Sequence, residues 1–214
     1  MEKITIGYIS HHGPAVFDKF LGPSLEGLQG EFSVIKSINN NHSAAKNYND
    51  IIDKSETDLI ALSHEDVSFS PDLLSCIDQT IKQVGDFSVL GLVGVDFEGN
   101  YFWSKEDEIF ELCTVDQCFF VIRKSHGVRF DEITFDDFHL HAEDYCQSCR
   151  LKTSLPVFSI RTNSKESSPL SRDDSMSKYL NHHSATCNKE GYAWGKYWHY
   201  REKLEDKYPN IKTT

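Results

Sequence analysis

The apolar positions of the chain change period as it proceeds. Over residues 3–10, Ile4, Ile6 and Tyr8 alternate with other residues, the two-residue period of a half-buried strand. His11-His12-Gly13-Pro14 breaks the run, and Phe17, Phe20, Leu21, Leu25 and Leu28 then recur near helical spacing over 17–28. A second strand is predicted over 32–38. A helix follows over 44–53, where Ala44, Tyr48, Ile51 and Ile52 share one face. Residues 58–63 form a short apolar strand that stops at His64-Glu65-Asp66. Ser70-Pro71-Asp72 reads as a helix start, with a Ser cap, Pro in the first turn and an acid at the positive end. The stripe Leu73, Leu74, Ile77, Ile81 and Val84 continues it, and residues 88–94 give another buried strand. Strand and helix thus alternate through the first 95 residues, which implies α/β architecture: a mostly parallel sheet with helices on both faces.

The second half is less regular. Strands are predicted over 99–103, 115–123 and 155–160, and a helix over 141–151. Residues 162–178 are rich in Ser, Asp, Arg and Lys, the composition of a mobile loop. The stretch 190–208 is helical in composition and strongly aromatic, with Tyr192, Trp194, Tyr197, Trp198 and Tyr200. No repeat or linker divides the chain, so its 214 residues read as one domain.

Charge and composition narrow the partners. The formal charge of −11 argues against a nucleic-acid backbone, which calls for clustered Lys and Arg. A small anionic ligand stays open, provided a metal or a group of donors offsets the field near the site. There is no run of about 18 apolar residues to span a bilayer, and the first residues lack the pattern of a secretory signal. A cytoplasmic setting is therefore expected, compatible with peripheral attachment to the inner face of a membrane, and the six cysteines are expected to be reduced thiols. The sequence carries no Walker-type phosphate loop, no G-x-G-x-x-G after the first strand and no G-x-S-x-G elbow.

Three spots carry candidate chemistry. Ligands of open parallel sheets bind beyond the carboxyl ends of the strands. There, His64 and Asp66, two residues apart, point the same way while Glu65 points elsewhere. Such a pair could hold Mn²⁺ or Mg²⁺ with phosphate oxygens completing the shell, or it could simply be an acidic turn capping the next helix. Glu143 and Asp144 open a predicted helix, where they either favour its dipole or supply a general base. His182 and His183 follow the loop and are either solvated or a further metal ligand. Cys146-Gln147-Ser148-Cys149, with His139 and His141 nearby, is compatible with zinc, but its spacing also fits the inner face of a helix.

In this order the segments resemble glycosyltransferase family 2 proteins of the GT-A fold, in particular a short bacterial branch whose metal motif reads H-x-D-V. The resemblance covers about residues 32–187. It rests on Asp58 to Val67 as strand and metal motif, Gly91-Leu92-Val93-Gly94, Val115 to Arg123 with Phe130-Asp131-Glu132, His141-Ala142-Glu143-Asp144-Tyr145 as the E-D motif, and His182-His183-Ser184. It implies an inverting transfer of a sugar from a nucleotide-diphosphate donor, such as a UDP-sugar, to the hydroxyl of a glycan or other acceptor, in bacterial surface-glycan synthesis. Asp66 would be the main ligand of Mn²⁺ or Mg²⁺, with His64 and His182 or His183 as helpers, and Asp144 the base. Ser10, Asn39 and Glu65 would contact the donor, residues 162–178 would form a lid, and Trp194 or Trp198 would line the acceptor side. One departure is plain: His64 stands where the commoner pattern has Asp. The same resemblance therefore also admits a nucleotide-sugar-binding or scaffold domain without catalysis.

Overall fold

A computed structural model describes residues 2–10, 14–37, 42–104, 107–162, 176–177, 180–182 and 193–214. In chain order the first part contains β1 (Ile4–Ile9), α1 (Pro14–Lys19), α2 (Leu21–Gly27), β2 (Phe32–Ser37), α3 (Ala44–Lys54), β3 (Leu59–His64), β4 (Val67–Phe69) and α4 (Leu73–Val84). The middle contains β5 (Val89–Gly91), β6 (Val93–Val95), β7 (Tyr101–Trp103), β8 (Glu111–Leu112), β9 (Thr114–Val115) and β10 (Phe119–Arg123). Then come α5 (His141–Thr153), β11 (Val157–Ser159), β12 (Met176–Ser177), β13 (Leu180–His182) and α6 (Ala193–Lys207).

A seven-stranded sheet in the order β2-β1-β3-β10-β5-β11-β8 forms the centre. Strands β1, β2, β3, β5 and β11 run one way, and β10 and β8 run against them. The two-residue period decides what each face buries. Leu59 and Ala61 join a cluster with α4 residues Leu73, Leu74 and Ile77 on one side. Ile60 and Leu62 join Tyr48, Ile51, Tyr145 and Cys149 of α3 and α5 on the other. Phe119 with Val121, and Phe120 with Ile122, divide in the same way. Every residue of β1 is buried, as expected for a strand covered on both faces. At Gly7 an added Cβ would collide with Ile51, so α3 lies on β1 at a distance only glycine permits.

Several expectations are corrected. The helix over 17–28 is two short helices, α1 and α2, separated at Phe20. Helix α4 starts at Leu73 with Asp72 at its cap and no side-chain cap bond, because the Ser70 hydroxyl is spent on the Asp72 carboxylate. The strand over 88–94 divides into β5, in the large sheet, and β6, in a three-stranded sheet with β7 and β9. Leu92 between them turns its carbonyl to the amide of Ser104 instead of to a ladder partner. The strand over 115–123 divides likewise into β9 and β10, while β4 and β8 are strands that apolar periodicity did not reveal. The C-terminal aromatic helix is present as α6, and Tyr200 and Leu204 seat it on Phe135, Leu140, Cys113 and Ile211.

Candidate functional site at the strand ends

Strands β1 and β3 end level with each other, Ile9 opposite His64, and the chain leaves both at the same edge. Ser10 is buried there, and its amide donates to the Ser37 carbonyl at 3.0 Å, tying the ends of β1 and β2 together. Beyond His64, Glu65 and Asp66 form a tight turn into β4. That turn, not a continued strand, brings His64 Nδ1 to 3.9 Å from Asp66 Oδ1, with Asp66 buried and His64 half-buried. Glu65 is buried and faces the Tyr8 phenol, whose pKa is raised by burial and then by Glu65.

Beneath the turn lies Tyr48 of α3, its hydroxyl 3.5 Å from the Ser63 carbonyl. Burial, and after it Cys118 and Asp66, pushes that phenol well above its usual range. Strand β13 pairs antiparallel with β4, setting His182 opposite Val67, one residue from Asp66. His183 and Asn39 lie outside the described residues, as does most of the 162–178 segment.

Helix α5 faces this edge across the turn that joins β9 to β10. The Cys118 carbonyl of that turn accepts the His64 amide at 3.1 Å, while Asp116 lies close enough to Glu143 to raise its pKa. The helix starts after Leu140, which holds φ 59° and ψ 13°, the left-handed region that costs a non-glycine residue roughly 1–2 kcal/mol. Three buried polar side chains follow. His141 packs against Tyr48 and Phe130. Burial, then the nearby His64, holds its pKa well below the ordinary value, so the ring is neutral.

Glu143 is buried, and its carboxyl is pushed up to about 8, first by burial and then by Asp116 and Asp144 against the opposing bond from Thr214. Asp144, expected as the base, is 1% exposed and paired with Lys207 Nζ at 2.7 Å. Burial raises its pKa and Lys207 opposes that rise. Lys207 also reaches Asp131 at 2.9 Å. Against the cost of burial, the Thr134 amide and Lys207 hold the Asp131 carboxylate far below the usual range. The C-terminal segment therefore covers both carboxylates of α5, an arrangement that no motif spacing revealed.

The donor set matches half of a metal site. Hard divalent cations take one or two carboxylates and complete their shell with phosphate oxygens and water. Asp66 fits that role, and His64 is a softer neighbour. Among the described residues no three His, Cys, Asp or Glu side chains gather as a metal site. The zinc possibility is overturned by the surroundings of the pair: Cys146 and Cys149 are fully buried, and Cys149 meets His126 at 3.6 Å instead of His139 or His141. The described cysteines are free thiols. Trp198 is half exposed with Arg201 stacked on it, and the Trp194 side chain lies outside the described residues. Among the described residues, no helix is long and apolar enough to cross a membrane.

No protein-family model matches this sequence, and no curated protein is similar to it. Solved structures are similar in fold. S. aureus TarS 1–349 in complex with UDP-GlcNAc superposes with a TM-score of 0.54 at 13% identity, over 77% of this chain and 60% of that one. GalNAc-T7 with UDP, GalNAc and Mn²⁺ gives 0.58 at 6% identity, over 78% and 46%. The mannosyltransferase PcManGT from Pyrobaculum calidifontis, in complex with GDP-Man and Mn²⁺, gives 0.53 at 6%, over 76% and 55%. The chain thus spans at most about three fifths of the length of these proteins. Taken with the sheet order and the layering of helices, these likenesses establish that the chain has the GT-A fold of glycosyltransferases.

Proposed function

We propose that the chain is a nucleotide-sugar glycosyltransferase, metal-dependent and inverting, that uses a hydroxyl-bearing acceptor. The observation that carries this reading is the approach of His64 and Asp66 to 3.9 Å at the carboxyl ends of the parallel strands of a GT-A fold. Asp66, with His64 and with His182 or His183 as further candidates, would hold Mn²⁺ or Mg²⁺, whose charge offsets that of a donor diphosphate. Ser10, Asn39 and Glu65 are proposed on the donor side. In a single displacement the acceptor oxygen bonds to the sugar carbon as the bond to the diphosphate oxygen breaks. The electron pair leaves with the diphosphate, and the hydroxyl proton passes to a carboxylate of the Glu143–Asp144 pair. Bacterial surface-glycan synthesis at the inner face of the membrane is the setting that fits the sequence resemblance.

A nucleotide-sugar-binding domain without transfer is the second reading, favoured by the occupation of both α5 carboxylates by the C-terminal segment. Titration calorimetry of UDP with Mn²⁺ tests the shared part. Asp66→Ala should weaken binding by about 100-fold or more, exceeding the ~10–100-fold lost when groups that merely orient a ligand are removed. Unchanged affinity would remove Asp66 from the site. UDP release from UDP-GlcNAc then separates an enzyme from a binding domain.

A further inference from the structure

The two α5 carboxylates are covered in different ways. Asp144 is gripped by an ammonium on a helix, Lys207 at 2.7 Å, with the Tyr208 hydroxyl beside it. Glu143 is met by a hydroxyl: Thr214 Oγ1 donates to Glu143 Oε1 at 2.7 Å. A hydroxyl donating to a buried carboxylate oxygen at 2.6–3.2 Å is the geometry that a base and an alcohol nucleophile require. The second oxygen, Oε2, is buried with no hydrogen-bond partner among the described residues.

In the covering segment Lys212, Thr213 and Thr214 are half-buried; the Lys212 carbonyl accepts from Thr114 Oγ1 at 2.7 Å, and the Tyr197 hydroxyl lies 3.1 Å from both Thr213 Oγ1 and the Thr214 carbonyl. Beside Thr214 opens a cleft of about 520 Å³ lined by Tyr101, Tyr197, Arg201, Lys212 and Thr213. Tyrosine rings with charged hydrogen-bonding neighbours suit a polyhydroxylated ligand, which offers an apolar ring face and polar edges. The cleft therefore meets Glu143 through the Thr214 side chain and does not meet Asp144 in this way.

We infer that Glu143 is the carboxylate that takes the proton of the acceptor hydroxyl, and that the Thr214 hydroxyl holds that place until a glycan acceptor enters the adjoining cleft. The inference rests on the transferase reading above. Proton balance is simple: the acceptor O–H bond breaks, its proton goes to the Glu143 carboxylate, and its oxygen bonds to the sugar carbon. Asp144 is then a positioning residue that fixes α6 to the start of α5. Groups facing Glu143 are Asp116 from the β9–β10 turn, Asp144 and Cys146 from its own helix, and Tyr197 and Thr214 from the C-terminal segment.

The test uses the full chain with Mn²⁺ and UDP-GlcNAc, water serving as acceptor, and follows UDP release. Glu143→Gln should lower turnover by about 100-fold or more with UDP affinity unchanged, and should abolish the rise of turnover expected of the unaltered chain as pH passes through about 8. Thr214→Val, or removal of residues 213–214, should raise turnover severalfold, and that gain should vanish when combined with Glu143→Gln. A structural role for Glu143 would not produce that interdependence. Wild-type turnover in Glu143→Gln, or no gain from either change at Thr214 in a chain of unchanged melting temperature, overturns the inference. Failure of the unaltered chain to bind UDP is a separate outcome, seen before any variant is made. It removes the transferase reading and this assignment with it.

Discussion

The strand-end edge and the α5 side of the candidate site are built on opposite plans. At the strand-end edge, Ser10, His64, Glu65 and Asp66 sit at the ends of β1 and β3, positioned by ladders of the central sheet within a span of 57 residues or fewer. On the other side Glu143 and Asp144 are held by Thr214 and Lys207, partners 71 and 63 residues away. A site edge fixed by its own sheet can lose a side chain without losing its shape. The Asp144–Lys207 ion pair across the chain is different, because removing the lysine leaves a buried charge uncompensated.

The largest effect expected from this contrast is on stability. Lys207→Met strips Asp144 and Asp131 of their shared cation and should cost about 3 kcal/mol, lowering the melting temperature by roughly 10 °C. A small shift in calorimetry would show that the clamp is not what holds α6.

Next in size is a pH effect on the same side. Glu143 titrates near 8 in the folded chain against an ordinary 4.5, so between these values the folded state keeps a proton that the unfolded state has released. Its stability contribution is complete below pH 4.5 and is lost as pH rises through 8. Glu143→Gln cannot titrate, so its advantage over the unaltered chain should grow from pH 5 to pH 9 and reach a few kcal/mol. Parallel melting curves across that range would refute the assignment. Smallest is the effect at the strand-end edge itself: His64→Ala should change stability by no more than about 0.5 kcal/mol. A loss comparable to Lys207→Met would erase the contrast.

The same contrast explains what could be read from the chain alone. Ile60 and Leu62 against Leu59 and Ala61 announce a strand covered on both faces, and the sheet follows. The nearness of His64 and Asp66 was legible from their two-residue spacing at a strand end, although a turn and not strand alternation brings them together. The division of 88–94 between two sheets was not legible, since Val89, Leu90, Leu92 and Val93 form one apolar run whatever their partners. Nor was the covering of Glu143 and Asp144. Nothing in Lys207 or Thr214 marks them locally as partners of a helix start some 65 residues earlier. That information lies in the seating of α6 through Tyr200 and Leu204 on Phe135 and Leu140.

Gly7 carries a consequence for the whole strand-end edge. Ile51 occupies the volume a methyl group would need there, and Tyr48, one helical turn earlier, forms the floor under Ser63 and Asp66. A side chain at position 7 would act as a wedge, lifting α3 and with it the height of that floor. The spacing between His64 and Asp66 at the rim of the sheet is thus governed from below, by a residue that lies beneath both.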